Sequence, residues 1–200
     1  MSIRQRIPFR FTETPEDEHI LDEQEQEELI DSLKSQSDAA ASQYMLLGQV
    51  VLALSALLHF IYILKWDKLS PLYAILPSHP APSTIIPFPD FFATLNIILH
   101  ANLSLLLLPH YSPIRRSLSS LPPPMEDYSL PLPIFHPVTA ALTVLTPTLA
   151  LIRQCSWPDV AWWCATLTMS WFVYSLRRWT DQSVEEIREL ERLRYDARGA

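Results

Sequence analysis

Residues 44–64 read YMLLGQVVLALSALLHFIYIL, a run of 21 residues without Asp, Glu, Lys or Arg. In a helix each residue rises about 1.5 Å, so roughly 20 apolar residues cross the hydrocarbon core of a bilayer. This run is therefore long enough to span a membrane, and it decides the fold class. Because a polar segment precedes it and because it is too long for a signal-peptide core, we expect an uncleaved signal anchor.

Three further runs are apolar and free of charged side chains, and they cover residues 91–108, 138–152 and 160–176. In the first of these the leucines lie all round the helix, which favours a membrane span over the core helix of a soluble protein. The 138–152 run is short and contains Pro147, so its length leaves open whether it crosses completely. The sequence predicts an all-α, polytopic membrane protein, a bundle of four transmembrane helices over residues 44–178.

The composition excludes several function classes. The chain has 2 glycines and 18 prolines, whereas dinucleotide-binding and phosphate-binding loops need several glycines for tight turns. Its 2 cysteines exclude a disulfide framework and Cys-rich zinc folds. Fourteen prolines lie in residues 65–90 and 109–137, for which we expect extended loops with little helix. Only Gly48 lies within a span, so we expect helix contacts through Ala, Ser and Thr rather than glycine.

Basic residues predict the orientation, because they are enriched on the cytosolic side of a membrane. Four spans put both termini and segment 109–137 on one side, with twelve Lys and Arg residues against three on the other. Both termini are therefore expected in the cytosol. Four of the basic residues lie next to predicted spans, namely Arg115, Arg116, Arg177 and Arg178. We expect the endoplasmic reticulum or a related endomembrane; a mitochondrial membrane is the alternative, because the first ten residues are basic and free of acids.

Both predicted tails are charged. Residues 1–43 form an acidic arm with ten carboxylates between residues 13 and 31, and the sequence from Thr14 predicts a helix over about 15–34. The candidate residues for contact with a protein partner are Glu25, Glu27, Glu28 and Leu29; the alternative is a solvated arm without a partner. In residues 179–200 a capping box at Ser183 predicts a second charged helix. Because both tails lie on one side, this Arg-bearing helix could pair with the acidic arm.

Ionisable residues inside spans are costly and usually functional, and none of the four runs contains an acid, Lys or Arg. Proton-coupled carriers and intramembrane enzymes that use carboxylates therefore lose support. Neutral polar residues remain, and Asn96, His100 and Ser104 share one helix face through their four-residue spacing. The full set of candidate residues for helix packing or for lining a path is Asn96, His100, Ser104, Thr139, Thr143, Thr146 and His59.

We interpret these residues as helix contacts. We predict no catalytic residue, cofactor or metal site, because two histidines without a third spaced ligand make a poor metal site. The expected function is that of a non-enzymatic subunit, tether or assembly factor that contacts membrane lipids and a protein partner but no nucleic acid. The alternative is a small transporter or lipid-handling protein that uses the polar stripes of spans 2 to 4, although the sequence has no internal repeat of the kind found in transporters.

Overall fold

A computed structural model describes residues 23–76, 86–109, 112–119 and 130–198. Within these ranges the chain is helical and has no strand, so the all-α prediction is confirmed. The predicted start of the arm helix near residue 15 and much of both proline-rich segments lie outside the described residues. The elements are α1 (Glu23–Leu64), a 3₁₀ turn (Pro71–Ala74), α2 (Pro89–Leu107), α3 (Pro113–Ser119), α4 (Pro137–Ile152), α5 (Trp157–Trp163) and α6 (Ala165–Arg198).

The acidic arm and the first apolar run belong to a single helix. The arm helix was expected to end near residue 34, but α1 continues through 42 residues to Leu64. The connecting residues SQSDAAASQ contain neither Gly nor Pro, so nothing in them breaks a helix, and three alanines favour it. At 1.5 Å per residue α1 is about 63 Å long, roughly twice the thickness of a hydrocarbon core.

The C-terminal tail likewise continues a helix of the bundle. α6 runs for 34 residues without Gly or Pro, and Ser183 lies inside it rather than at its start. A capping box needs a backbone that is not yet helical, and here the helix begins eighteen residues earlier, at Ala165. The predicted fourth span, 160–176, is divided instead, because a turn at Cys164 separates α5 from α6.

Two helices, α1 and α2, are long and apolar enough to cross a membrane. α4 has only 16 residues, and the turn at Cys164 interrupts the last apolar run. The tryptophans, tyrosine and hydroxyl residues of that run also lower its mean hydropathy. By length and apolarity the described residues therefore provide two candidate spans, and the four-span arrangement is not confirmed.

Prolines mark the starts of helices in the described residues. Each of the segments predicted to be extended contains a helical turn, Pro71–Ala74 in one and α3 in the other. Both of these begin at a proline, and so do α2 and α4. Proline is favoured there because the first helical residue has no intrahelical partner for its N–H and because the ring fixes a helical φ. The described parts of these two segments thus contain one 3₁₀ turn and one seven-residue helix, where extended chain with little helix was expected.

The helices pack around α1. α2 and α6 both pack against α1, and α4 packs against α2, α5 and α6. The first apolar cluster joins the end of α1, the start of α2 and the end of α4 to α5, and it comprises Tyr62, Ile86, Phe92, Ala93, Ala150, Trp162 and Trp163. The second lies where α1, α2 and α6 meet and comprises Leu52, Leu103, Leu106, Leu107 and Val173.

Gly48 lies at the junction of three helices. A Cβ atom added there would lie 2.9 Å from Leu107 Cδ1 of α2 and 3.0 Å from Leu176 Cδ2 of α6. Both distances are shorter than ordinary van der Waals contacts. The expectation that packing does not use glycine is therefore wrong at this position, because the missing side chain lets both leucines approach α1.

The middle of the bundle buries polar side chains beside its apolar clusters and exposes large apolar side chains on its outer surface. Exposed side chains there include Leu46, Leu54, Ile98 and Trp171, the last of which is 68% exposed. The buried polar side chains are Ser55, His59, Asn96, His100, Asn102, Thr139, Thr143, Thr146, Thr166 and Ser170. Globular proteins in water rarely expose large contiguous apolar surfaces, so this distribution agrees with the two candidate spans, α1 and α2.

Candidate functional site: a buried hydrogen-bond circuit

The polar face predicted on α2 meets a polar face of α1. The two helices run antiparallel, and three facing pairs follow one another along their interface, formed by Gln49 with Ser104, Ser55 with His100, and His59 with Asn96. At the first pair the Gln49 amide donates to the Ser104 carbonyl at 2.7 Å, and the Ser104 hydroxyl donates to Gln49 Oε1. The structure therefore brings Asn96, His100, Ser104 and His59 together.

Hydrogen-bond partners assign the tautomers of both histidines. His59 Nδ1 lies 2.9 Å from the Ser55 carbonyl and His100 Nδ1 lies 2.6 Å from the Asn96 carbonyl. A carbonyl oxygen only accepts, so each Nδ1 carries a hydrogen and each Nε2 of a neutral ring is an acceptor. His59 Nε2 accepts from the Asn96 amide at 3.3 Å, and His100 Nε2 accepts from the Ser55 hydroxyl at 2.8 Å.

These four bonds form a closed circuit. The Asn96 amide donates to His59, His59 donates to the Ser55 carbonyl, the Ser55 hydroxyl donates to His100, and His100 donates back to the Asn96 carbonyl. Asn96 and His59 are fully buried and His100 is 1% exposed. Because all four ring nitrogens have partners, neither imidazole has a lone pair left for a metal ion or a substrate. The arrangement can fix the register of α1 against α2.

Trp162 of α5 covers the circuit. Its ring stacks on His59 with centroids 4.4 Å apart and planes 25° from parallel, while the His59 and His100 rings lie 5.1 Å apart. Sequence reasoning missed Trp162, Ser55 and Gln49 as members of this site. The four-residue spacing of Ser55 and His59 was a signal for the α1 face, but nothing in the sequence places Trp162 over it.

Four buried polar atoms near the centre of the bundle have no hydrogen-bond partner among the described residues: Asn96 Oδ1, Thr146 Oγ1, Trp162 Nε1 and Thr166 Oγ1. An unsatisfied buried group costs about 1–3 kcal/mol. These groups belong to α2, α4, α5 and α6. The packing contacts of these four helices must therefore offset the free-energy cost of the unsatisfied groups.

The hydrogen bonds of the α4 threonines are local, unlike those that Asn96, His100 and Ser104 of α2 make with α1. Thr139, Thr143 and Thr146 are all buried. The Thr139 hydroxyl donates to the Pro133 carbonyl at 3.0 Å, and the Thr143 hydroxyl donates to the Ala140 carbonyl at 2.9 Å. These bonds stay within α4 or reach the segment before it. The threonine stripe therefore contributes burial rather than a second interhelical network.

The two tails pair with each other beyond the bundle. Lys34 Nζ of α1 lies 3.3 Å from Glu191 Oε1 of α6, and the Tyr44 and Trp179 rings meet edge to face at 4.8 Å. The ion pair joins a base of the arm to an acid of α6, which is the reverse of the expected charges. The candidate interaction residues Glu25, Glu27, Glu28 and Leu29 are exposed on the N-terminal part of α1.

The predicted juxtamembrane arginines come together at this same end of the bundle. Arg115, Arg177 and Arg178 line one cavity beside the end of α2. Arg116, the neighbour of Arg115 on α3, is exposed and does not line it.

A second polar cluster, which sequence reasoning missed, lies at the opposite end. The Tyr73 phenol lies against Ser156 and donates to Asp159 Oδ2 at 3.1 Å, and the Ser156 hydroxyl donates to the same carboxylate at 2.6 Å. Burial raises the pKa of Tyr73; the hydrogen bond with Ser156 opposes this shift and the hydrogen bond to Asp159 adds to it, so that the pKa lies above its usual value. Nearby, Lys68 pairs with Asp90 at 2.5 Å. The cluster ties the 3₁₀ turn to the start of α5.

Within the described ranges, no three His, Cys, Asp or Glu side chains are grouped so that they could hold a metal ion. Neither Cys155 nor Cys164 forms a disulfide bond within the described residues. In comparisons with known proteins, no family model, no curated protein and no solved structure matches this chain.

Proposed function

We propose that this protein is a non-enzymatic, four-span integral membrane protein that acts as a subunit, tether or assembly factor of an endomembrane complex. Its location is the endoplasmic reticulum or a related compartment, with a mitochondrial membrane as the alternative, and both tails lie in the cytosol. The observation that carries the proposal is the pair of tail helices, which extends beyond the bundle and leaves apolar side chains exposed.

The distribution of polar and apolar side chains supports insertion into a membrane. Only 22% of the most apolar 18 residues of α1 are buried, and 50% of those of α2, whereas the core helix of a soluble protein is mostly buried. α4 and α6 also expose large apolar side chains, including Leu151 and Trp171. These surfaces support two further crossings, one by α4 at about 24 Å of length and one by α5 with the first part of α6.

The arginine cluster supports the cytosolic location of the tails. Arg115, Arg177 and Arg178 lie at the end of the bundle from which the paired tails extend. Basic residues are enriched on the cytosolic side of membrane proteins.

The closed hydrogen-bond circuit supports a packing role for the polar stripes. Asn96, His100 and Ser104 face α1 and bind His59, Ser55 and Gln49. A transport path needs polar groups that are free to bind a passing solute, and the ring nitrogens of this interface are already occupied. The alternative of a small transporter or lipid-handling protein is therefore less well supported along this face.

The paired tails offer a surface for a protein partner. Leu29 of α1 and Val184, Leu190 and Leu193 of α6 are exposed, and carboxylates flank Leu29. Exposed apolar side chains rimmed by charged residues mark protein contacts. A partner with an apolar ridge and basic flanks would complement this surface.

Purification in a mild detergent followed by mass determination tests the proposal. We expect a stoichiometric protein complex that is lost when the arm is altered by Glu25→Lys, Glu27→Lys, Glu28→Lys and Leu29→Ser together. The matched control is Asp67→Lys, an exposed acid at the opposite end of the bundle. A lone protein in detergent, or a complex that survives the arm variant unchanged, would contradict the proposal.

A further inference from the structure

A cavity of about 620 Å³ opens at the end of the bundle where α2, α3, α6 and segment 130–136 meet. Its polar wall carries Arg115 from α3 and Arg177 and Arg178 from α6. The Arg115 guanidinium donates to the Leu108 carbonyl at 3.0 Å, which fixes its direction at the C-terminus of α2. Three guanidinium groups from two helices therefore converge on one space.

Positive charge dominates this cavity. Within the described residues, no carboxylate oxygen lies within 4.0 Å of the guanidinium nitrogens of Arg115, Arg177 or Arg178. Asp181 and Glu185 also line the cavity, but Glu185 pairs with Arg188 at 2.8 Å. Three lining arginines thus face two lining acids, one of which is already paired with Arg188 outside the lining. Burial lowers the pKa of Arg115, and the nearby charge of Arg177 lowers it further, so an anion placed between them would relieve this repulsion.

An apolar groove continues from the cavity along the bundle. Ile134, Phe135 and Tyr174 line both spaces, and the Phe135 and Tyr174 rings meet edge to face at 5.0 Å. The groove has a volume of about 190 Å³ and follows the outer surface between α4 and α6, where its remaining lining residues are Ala140, Thr143, Val144, Leu167, Ser170 and Trp171. A cavity with three arginines on one wall therefore joins a narrow apolar groove that faces the surroundings of the bundle.

We propose that this composite site binds an anionic phospholipid from the leaflet on the side of the tails, with its phosphate among Arg115, Arg177 and Arg178 and an acyl chain in the groove between α4 and α6. Guanidinium groups match phosphate oxygens in geometry and charge, and basic pockets between membrane helices bind anionic headgroups. A soluble anion would use the cavity but leave the apolar groove empty, so the continuity of the two spaces favours a lipid. The inference rests on the membrane insertion proposed above but not on the existence of a protein partner.

Native mass spectrometry of the full-length protein tests the site. The purified, delipidated protein is offered phosphatidic acid and phosphatidylcholine of equal chain length. We expect one tightly retained phosphatidic acid and a preference over phosphatidylcholine of about tenfold or more, because each nearby arginine adds attraction for the anionic headgroup.

Two pairs of variants distinguish binding of the lipid headgroup from binding of its acyl chain. Arg115→Gln with Arg177→Gln should reduce phosphatidic acid retention about tenfold, while Arg153→Gln with Arg192→Gln removes two charges elsewhere and should leave it within about twofold. Val144→Trp fills the groove and should reduce retention, whereas Leu145→Trp, on the neighbouring surface of α4, should not. Circular dichroism and a monodisperse elution profile establish that each variant is folded.

Three results would overturn the proposal. These are equal retention of both lipids, equal loss in the test and control arginine variants, and full displacement of the lipid by millimolar inorganic phosphate, which would identify a site for a free anion. A protein that stays soluble without detergent would instead refute membrane insertion. A protein that binds this lipid but purifies without any other protein would refute only the proposed protein partner. Failure of this inference is therefore distinguishable from failure of the proposed function.

Discussion

α1 makes two interfaces that differ in their chemistry. In the middle of the bundle it meets α2 through the closed circuit of Ser55, His59, Asn96 and His100, all of which are buried. Beyond the bundle it meets α6 through Lys34 and Glu191, whose side chains remain 56% and 38% exposed. One continuous helix thus makes buried hydrogen bonds within the bundle and an exposed ion pair beyond it.

The environment decides how much each contact contributes. A buried polar group that loses its partner costs about 1–3 kcal/mol, because no water replaces the partner. An exposed ion pair contributes about 0–1 kcal/mol, because water and salt screen it. We therefore expect the α1–α2 register to depend on specific polar residues and the tail pair to depend mainly on packing.

Breaking the circuit should have the largest effect. His100→Ala removes the acceptor of the Ser55 hydroxyl and the donor to the Asn96 carbonyl, and it leaves a cavity between α1 and α2. We expect a loss of about 2–4 kcal/mol in the free energy of unfolding in detergent. Ile98→Ala, an exposed change on the same helix, is the control. Equal losses in the two variants would show that the circuit does not stabilise the bundle.

Filling the junction at Gly48 should have the next largest effect. Gly48→Val places methyl groups against Leu107 and Leu176, so we expect a loss of about 1–3 kcal/mol from overpacking. Gly48→Ala should cost less, because both leucine ends can shift. Ala53→Val, on the exposed side of α1, should change thermal stability little. A Gly48→Val protein as stable as the Ala53→Val protein would contradict the close three-helix contact.

Removing a hydrogen bond from the half-buried Tyr73 cluster should cost less stability than the changes at His100 and Gly48 but more than a change in the exposed tail pair. Tyr73→Phe removes the hydroxyl that meets Ser156 and Asp159, and we expect a loss of about 1 kcal/mol near neutral pH. The folded protein raises the pKa of this phenol. The hydroxyl therefore contributes fully to the free energy of unfolding below the unfolded pKa of about 10, and this contribution is lost as the pH rises from there through the folded pKa. Unfolding of both proteins at neutral and alkaline pH measures this. A difference that grows with pH would contradict it.

The exposed tail pair should have the smallest effect. Lys34→Ala is expected to lower stability by about 0.5 kcal/mol or less at low salt, and high salt should abolish the difference. Trp179→Ala should separate the tails more, because it removes the edge-to-face contact with Tyr44. A distance measurement between spin labels on the two tails follows both changes. A larger separation in Lys34→Ala than in Trp179→Ala would reverse the expected order.

The sequence predicts the α2 side of the circuit but not its partners. The four-residue period of Asn96, His100 and Ser104 is a local property of a helix, so it can be read without a structure. Pairing with Ser55 and Gln49 depends on the antiparallel register of α1 and α2, which no single helix period contains. The stacking of Trp162 on His59 likewise depends on where α5 returns to the bundle.

Helix boundaries were predicted less well than helical character. Ser183 followed by Glu186 resembles a helix start, yet α6 passes through it, because a capping side chain does not end a helix that is already formed. In the arm, the sequence predicts a helix that ends near residue 34, whereas α1 stays helical from Glu23 to Leu64. The number of glycines predicts helix contacts without glycine. The close packing at Gly48 depends instead on two leucines from helices that are distant in sequence.

We propose that the bundle crosses a membrane four times with both tails on one side, and cysteine labelling tests this most directly. In a background of Cys155→Ser and Cys164→Ser, single cysteines are introduced as Gln36→Cys, Ile114→Cys, Arg192→Cys, Trp66→Cys and Arg153→Cys, the last of which lies between α4 and α5. Sealed microsomes are then treated with a membrane-impermeant maleimide. The account predicts labelling at 36, 114 and 192 without detergent and at 66 and 153 only after detergent is added. Labelling at 66 or 153 in sealed vesicles, or protection of either tail, would contradict it.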